Sequence, residues 1–177
     1  MNAPVTPFSH ISSGKFQAWR TPRRIFEPLH RQFNFTLDAA ADAENALCPE
    51  YFDEKTDAFA QKWTTDGYVW LNPPYAQPTP WLFKALYEVR EAKRCNGVVM
   101  LLPAAVGVKW FRQALQNAEV QFYDRRIAFD LPAGMVNKGS PGSGSCLVII
   151  EPDGLHGVTA IRSVKDGEIL TDLTELK

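Results

Sequence analysis

The sequence predicts an α/β fold: a mostly parallel sheet flanked by helices and built as one compact domain over residues 1–177. Apolar strand-like runs alternate with helical patterns from Thr21 to about Ala118, as a parallel sheet covered by helices requires. The chain is 177 residues long, 45% apolar and 22% charged, which suits a single domain with one core. Ligands of such sheets lie beyond the carboxyl ends of the strands, so the residues after each strand are the first candidates for function.

Composition argues against several classes of protein. The three cysteines are scattered and form no CxxC pair, so neither a disulfide framework nor a zinc site is expected. No run approaches the roughly 20 apolar residues that span a bilayer, and residues 1–14 lack the pattern of a signal peptide. We therefore expect a cytoplasmic protein without a membrane partner. The net charge of −1 gives no support for a nucleic-acid partner, although a local basic patch can still supply one.

The first predicted elements are a helix and a strand. Residues 1–18 are expected to form an N-terminal arm. Thr21 as the N-cap and Pro22 at the first helical position then open a helix with one apolar stripe. A short apolar strand follows and ends in Asp38-Ala39-Ala40. Residues 41–62 are acidic and irregular, so no long helix is expected there.

The remaining elements continue the alternation. A strand over Tyr68–Leu71 stops at Asn72-Pro73-Pro74-Tyr75, and Thr79-Pro80 repeats the cap-plus-proline start of a helix that Gly97 ends. The later predictions are a buried strand (Val98–Leu102), a helix (about Val106–Ala118), two strands (Val120–Tyr123 and Cys146–Ile150) and a Gly/Ser/Pro-rich loop between them (Asn137–Ser145). Residues 152–177 form a polar C-terminal extension with room for one hairpin.

Asn72-Pro73-Pro74-Tyr75 is the segment with the clearest chemistry. Its prolines fix φ at about −65° and remove two backbone donors, so the turn is stiff and its carbonyls can accept hydrogen bonds from a ligand. The Asn72 side-chain oxygen and the Pro73 carbonyl would polarise a ring-bound amino group as an electrophile arrives, while Tyr75 would stack on the ring. A tight proline turn with a chance Asn and Tyr is the structural alternative. The position directly after a predicted strand favours the functional interpretation.

Further segments keep a characteristic order and spacing around this turn. They are Thr21-Pro22, Leu37-Asp38-Ala39-Ala40, Asn45, Cys48, Tyr51-Phe52, Asp57, Trp63, Trp70-Leu71, Trp81, Leu101-Leu102-Pro103, Trp110-Phe111 and Arg126-Ile127-Ala128-Phe129. Over about residues 19–150 the chain thereby resembles the phage-type DNA N-6-adenine methyltransferase (Dam) family. The resemblance implies a Rossmann-like class I fold and methyl transfer from S-adenosylmethionine to the exocyclic amino group of a flipped adenine in double-stranded DNA. It also implies phage or prophage origin and a bacterial host cytoplasm. The chemistry expected of the Asn-Pro-Pro-Tyr turn requires no metal, and no obligatory protein partner is evident from the sequence.

The resemblance implies catalytic roles for Asn72, Pro73, Pro74 and Tyr75. Asn72 and the Pro73 carbonyl would bind the target amino group, and Tyr75 would stack on the flipped base. Because Arg125 and Arg126 precede a flexible loop that carries Lys138, we expect these three cations to contact DNA phosphates. A solvated loop with incidental charges is the alternative for them.

The residues expected to bind the cofactor are Thr21, Pro22, Asp38, Ala39, Ala40, Asn45 and Asp57. Asp38 would lie near the methionine part of the donor and pair with its ammonium group, and Asp57 would accept from the cofactor adenine. Each has a structural alternative: a turn former for Asp38 and Asn45, a surface helix residue for Asp57, and helix capping for Thr21-Pro22. The turn after Asp38 lacks the usual glycines, and the ribose-binding acid is open between Glu50, Asp53 and Glu54.

Two other functions remain open from the sequence. The same amino-methyl transfer can act on a protein glutamine or an RNA base, which the near-neutral net charge favours slightly. A non-catalytic DNA- or nucleotide-binding relative is the second alternative, but the intact Asn72-Pro73-Pro74-Tyr75 opposes it.

Overall fold

The computed structural model of the protein describes residues 19–131 and 142–175. The helices are α1 (Arg23–Phe33), α2 (Pro78–Leu86) and α3 (Lys109–Asn117), and α2 continues as a π-helical turn over Tyr87–Glu91. The strands are β1 (Phe35–Asp38), β2 (Glu50–Tyr51), β3 (Tyr68–Leu71), β4 (Gly97–Pro103), β5 (Glu119–Tyr123), β6 (Ser145–Ile150), β7 (Gly157–Arg162) and β8 (Ile169–Asp172). No helix in these ranges is both long and apolar enough to cross a bilayer.

The described strands form one eight-stranded sheet in the order β2-β1-β3-β4-β6-β5-β7-β8. Strands β2, β1, β3 and β4 run parallel, and β5 runs parallel to β7. Strand β6 lies antiparallel between β4 and β5, and β8 is antiparallel to β7. The α/β prediction is confirmed, and the sheet is mixed: β6 and β8 run opposite to the other six described strands.

Helices cover both faces of the sheet. The apolar side chains of α2 and α3 pack in one core cluster, and those of α1 pack in a second cluster. Strand β4 contributes to both in alternation, with Met100 and Leu102 in the first and Val99 and Leu101 in the second. This follows from the two-residue period of a strand, and it explains why β4 is a continuous apolar run rather than an alternating one.

The carboxyl ends of β1, β3, β4 and β5 all point to one edge of the sheet. β1, β3 and β4 are mutually parallel, and β5 has the direction of β4 because both are antiparallel to β6. Asp38 ends β1, Asn72 follows β3, and Arg125 follows shortly after β5. The topology therefore gathers the predicted functional segments at the same edge, where ligands of parallel sheets bind.

Two predicted helix starts are wrong by one or more residues. Helix α1 begins at Arg23 with Pro22 as its N-cap and without a side-chain cap hydrogen bond, so Thr21 is not the cap. Helix α2 begins at Pro78 with Gln77 as its N-cap, which places Thr79 inside the helix. Proline lacks the N–H that the first helical turn leaves unpaired, so Pro78 can begin the helix before Thr79 caps it.

The prediction that Gly97 ends the second helix is also wrong. The helical segment ends at Glu91, Lys93 takes a left-handed φ of 51°, and Gly97 is the first residue of β4. A Cβ on Gly97 would lie 2.4 Å from the Tyr68 ring and 2.8 Å from the Ile150 carbonyl oxygen. The glycine is therefore required by the close approach of β3 and β6, not by the end of a helix. Helix α3 begins at Lys109, three residues later than expected.

The C-terminal extension contains the hairpin for which the sequence left room. Strands β7 and β8 extend the sheet beyond β5. The buried Arg162 guanidinium donates to the Gln121 side chain, to the Gly167 carbonyl at 2.8 Å and to the Gln32 side chain at 2.8 Å. Since Gln32 belongs to α1, this one side chain connects the hairpin to a helix packed on the neighbouring part of the sheet.

Candidate active site at the carboxyl edge of the sheet

A pocket at the carboxyl edge of β1 and β3, here called the main pocket, brings together six of the fourteen predicted site residues. It holds about 350 Å³ of empty space, part of which is open to solvent. Its walls are Trp19, Arg20, Thr21, Asp38, Ala40, Asn45, Leu47, Trp70, Asn72 and Pro74. The predicted catalytic Asn72 and the predicted cofactor-binding Asp38 therefore face the same space, although they lie on different strands.

Asp38 is an acidic group held in a largely dry environment. Its side chain is 3% exposed and accepts hydrogen bonds from the backbone N–H groups of Ala40 at 3.3 Å and Leu47 at 3.2 Å. Burial raises the pKa of Asp38 to about 7, and the nearby Asp42 adds to the shift while the two backbone donors oppose it. A buried carboxylate of this kind gains from a cationic ligand, because the ligand would return the electrostatic stabilisation that burial removed.

Thr21 contributes a polar atom that has no partner among the described residues. Its Oγ1 is buried and makes no hydrogen bond with residues 19–131 or 142–175, and Thr21 lines the main pocket. An unpaired buried hydroxyl costs about 1–3 kcal/mol. Since helix capping does not use this hydroxyl, a polar ligand in the pocket is the partner that its position favours.

The Asn72 side chain is oriented by the backbone that precedes α1. Its Nδ2 donates to the Trp19 carbonyl oxygen at 3.3 Å. Arg20 forms a two-way backbone bridge with Asp130, with N···O distances of 2.9 and 3.0 Å, and its guanidinium pairs with Glu44 at 2.9 Å. The segment 19–22 thus crosses the edge of the sheet and forms one wall of the main pocket.

Tyr75 packs in a small group of aromatic side chains with Phe129 and Trp19, here called the aromatic group. Its ring meets the Phe129 ring edge-on at 6.3 Å between centroids, and Phe129 in turn contacts the Trp19 ring at 6.3 Å. Burial raises the pKa of Tyr75 well above its ordinary value, so the phenol is neutral at physiological pH. Tyr75 is half-buried and lines neither pocket described here. The side chains of the aromatic group are planar and largely apolar, which suits an aromatic ligand.

A second cavity adjoins the main pocket through Ala40 and Pro74. Its other walls are Ala39, Phe52, Asp53, Ala58 and Trp81. Asp53 is thus the one of the three ribose candidates that lines this cavity, whereas Glu50 and Glu54 do not. Asp57 lies outside both linings, with a left-handed φ of 49° and its carboxylate accepting from the Phe59 N–H at 3.1 Å.

The remaining predicted site residues differ in whether they line either cavity. Pro22 and Pro73 are buried and line neither cavity. Asn45 lines the main pocket, but its side-chain oxygen also accepts from the Asp42 N–H at 2.7 Å and so stabilises a turn. Arg125 and Arg126 follow β5 at the carboxyl edge, and the Arg125 side chain is 71% exposed. Lys138 lies outside the described residues.

Several site residues were missed by the sequence reasoning. Trp19, Arg20, Leu47 and Trp70 line the main pocket, and Phe129 packs against Tyr75. The alternation of strands indicates Trp70 as a strand residue, but no local pattern predicts that segment 19–22 contacts Asn72. Within the described ranges there is no group of three or more His, Cys, Asp or Glu placed to hold a metal ion.

The fold and the site define an α/β protein whose ligand pocket joins a strand-end carboxylate to an Asn-Pro-Pro-Tyr turn. The sequence model of the DNA N-6-adenine-methyltransferase (Dam) family matches residues 9–171, and the chain belongs to this family.

Two phage proteins, both called DNA N-6-adenine-methyltransferase, are similar to this chain. The protein of Escherichia phage T1 is 37% identical over 101 residues, which cover 56% of this chain and 41% of the relative. The protein of Haemophilus phage HP1 (strain HP1c1) is 28% identical over 143 residues, which cover 78% of this chain and 81% of the relative. The matched segment thus spans less than half of the first relative's length.

Proposed function

We propose that the protein transfers a methyl group from S-adenosylmethionine to the exocyclic amino group of adenine in double-stranded DNA, using one Rossmann-like class I methyltransferase domain. The observation that carries this proposal is that Asp38 and Asn72 line one pocket at the ends of neighbouring parallel strands. A cationic donor and an amino acceptor can therefore meet within the same space. Family membership and the two phage relatives support the same reaction.

The residues of the main pocket fit the methyl donor. S-adenosylmethionine carries an ammonium group that would pair with the buried Asp38 carboxylate, and polar groups that would satisfy the unpaired Thr21 hydroxyl. Ala39, Ala40 and Asp53 line the adjoining cavity and would enclose the nucleoside part. When bound, the donor would supply an electrophilic methyl group from a positively charged sulfur, and the S–CH3 bond would break as the N–C bond forms, leaving a neutral thioether. No metal enters the proposed reaction.

The Asn-Pro-Pro-Tyr turn would act on the adenine amino group. The nitrogen lone pair of adenine is delocalised into the ring, and two acceptors would draw the nitrogen toward tetrahedral geometry as the methyl group arrives. Asn72 Oδ1 and the Pro73 carbonyl are suited to this role, because each can accept one N–H of the target. Their interactions strengthen as the new N–C bond forms, so they stabilise the transition state more than the bound substrate. The methylated nitrogen then releases one proton to water.

The aromatic group that contains Tyr75 would hold the base outside the duplex. Adenine is inaccessible inside stacked DNA, and flipping it out costs a few kcal/mol. Tyr75, whose ring meets Phe129 edge-on, would return part of this cost through stacking on the base. The exposed Arg125 and its neighbour Arg126 would contact phosphates at the same edge, and Lys138 is the third residue that we propose for this role. Because both relatives are phage proteins, we place the reaction in the cytoplasm of a bacterial host.

The direct test is transfer of radiolabelled methyl from S-adenosylmethionine to unmethylated duplex DNA, followed by nucleoside analysis. The proposal predicts label in N-6-methyladenine. Asn72→Ala should bind the donor normally in calorimetry but lose roughly two to three orders of magnitude in kcat, as when one preorganised polar group is removed from other active sites. Asn96→Ala is the matched control, since Asn96 precedes β4 at the opposite edge of the sheet.

Other outcomes would point to the other functions. Donor binding without label in DNA would favour a protein glutamine or an RNA base as the substrate, and the same assay with those acceptors would decide between them. Absence of donor binding would favour a non-catalytic relative. An Asn72→Ala variant that turns over at the rate of Asn96→Ala would contradict the assigned role of Asn72.

A further inference from the structure

We infer that the backbone carbonyl of Trp19 sets the orientation of the Asn72 amide, which makes segment 19–22 a positioning element for methyl transfer. The inference rests on the proposed function, since it concerns which end of the amide meets the target amino group. It adds a role for the segment before α1, which lies far from the Asn-Pro-Pro-Tyr turn in the sequence.

The chemistry of the contact determines the orientation. A carbonyl oxygen can only accept a hydrogen bond, so the amide end that faces Trp19 at 3.3 Å must be the nitrogen. The oxygen end of Asn72 therefore points the other way. An asparagine amide has nearly the same shape in both orientations, and a carbonyl acceptor beside it favours the orientation that turns the nitrogen toward that acceptor. Only the oxygen end is useful here, because the target amino group is itself a donor.

The Trp19 carbonyl is held in place from several sides. The adjoining residue, Arg20, is fixed by its two-way backbone bridge to Asp130 and by the ion pair between its guanidinium and Glu44. The Trp19 ring packs against Phe129. These contacts connect segment 19–22 both to the loop that lines the main pocket and to the residues just after Arg125 and Arg126. An acceptor held this firmly can impose one orientation on the amide before substrate binds.

Replacing the amide by a carboxyl group tests this orientation. In Asn72→Asp an ionised carboxylate has no N–H to donate, so one of its oxygens would face the Trp19 carbonyl and be repelled. The protonated acid can donate its O–H to Trp19 and still offer an oxygen to the target. The quantity to measure is the ratio of the Asn72→Asp kcat to the kcat of the unchanged protein. We expect this ratio to rise about tenfold or more when the pH is lowered from 8 to 5.5, because the protonated acid regains about one hydrogen bond.

The other ionisable groups near Asn72 are common to both proteins. Asp38 and Arg20 face the same pocket, and Glu44 pairs with Arg20. Taking the ratio of kcat values at saturating donor removes the contribution that is common to both proteins, and repeating the comparison in an Asp38→Asn background removes the coupling between Asp38 and the new carboxyl group. If Trp19 does not orient Asn72, the ionised carboxylate is the better acceptor, and the ratio would stay constant or rise with pH. That result would overturn the inference.

A second pair of variants tests the segment itself. Arg20→Ala removes the ion pair with Glu44 but keeps the backbone N–H that donates to Asp130, whereas Arg20→Pro removes both. We expect Arg20→Pro to have a kcat about tenfold below that of Arg20→Ala, with equal donor affinity. In the donor-free protein, the ¹⁵N side-chain signal of Asn72 should shift in Arg20→Pro but not in Arg20→Ala.

These experiments distinguish a failure of the inference from a failure of the proposed function. If the unchanged protein methylates no adenine, the proposed function fails, and the Asn72 amide signal still decides whether segment 19–22 orients the side chain. If adenine is methylated but the amide signal and kcat are the same in both Arg20 variants, the inference fails alone.

Discussion

Replacing Glu88 by glutamine should destabilise the protein strongly, because Glu88 is the centre of a buried charge cluster. Lys84 and Glu88 are both 0% exposed, and the Lys84 Nζ donates to Glu88 at 2.5 Å and to the Gln61 carbonyl at 2.8 Å. Arg94 donates to both Glu88 oxygens at 3.1 and 3.0 Å, and the Trp63 N–H lies 3.3 Å from one of them. Burial lowers the pKa of Lys84, although the Glu88 carboxylate opposes this effect.

The expected cost follows from what Glu88→Gln leaves behind. The variant keeps the shape of the side chain but removes the negative charge, so the buried Lys84 ammonium and the Arg94 guanidinium lose the carboxylate that they contact. Breaking a buried ion pair in this way costs about 3–5 kcal/mol. For a chain of this length each kcal/mol lowers Tm by about 2–4 °C, so we expect Tm to fall by roughly 6–20 °C. Urea unfolding monitored by circular dichroism at pH 7 would give the free energy directly.

A matched control exists in the same chain. Arg23 and Glu27 form an ion pair with the same four-residue spacing at 3.2 Å, but their side chains are 75% and 43% exposed. Glu27→Gln should therefore cost only about 0.3–0.5 kcal/mol. The double variant Lys84→Met with Glu88→Leu should recover much of the lost stability, because it removes both charges together. Equal losses for Glu88→Gln and Glu27→Gln would refute the argument from burial.

Three further predictions concern the site and the C-terminal hairpin. Thr21→Val should weaken donor binding about tenfold in calorimetry, because the hydroxyl would no longer contact the donor. The free energy of unfolding should not fall, since the hydroxyl has no partner among the described residues. Unchanged affinity would exclude a contact between Thr21 and the donor. The affinity for the donor should increase from pH 6 to pH 8, because Asp38 ionises near pH 7. The free energy of unfolding of the donor-free protein should fall from about pH 4 to pH 7, because the folded state holds the Asp38 proton more tightly than the unfolded chain does. Asp38→Asn should lose both dependences, and their persistence would assign them to another group. Arg162→Lys should reduce hydrogen-exchange protection in β7 and β8 but not in β4, because lysine cannot reproduce the three contacts of the guanidinium; unchanged protection would show that the hairpin does not depend on this side chain.

Local sequence rules located the strand ends well but the helix ends poorly. Asp38 ends β1 and Asn72 follows β3, so both could be placed at one edge, because the ends of parallel strands meet there. The caps of α1 and α2 were misplaced, since each start combines a threonine with prolines and several starts satisfy the same propensities. The direction of β6 had no local signal, because a buried strand has the same apolar composition whether it runs parallel or antiparallel.

The α/β alternation, the stiff Asn-Pro-Pro-Tyr turn and the acidic end of β1 each depend on residues adjacent in the chain, so local patterns are enough to predict them. Three contacts depend instead on tertiary packing: the Trp19 carbonyl meets Asn72, Phe129 packs against Tyr75, and Lys84 and Glu88 are buried together beside Trp63. These contacts join segments that are distant in sequence or place charges on a buried helix face. They arise from how the helices pack on the sheet, which no short pattern of residues encodes.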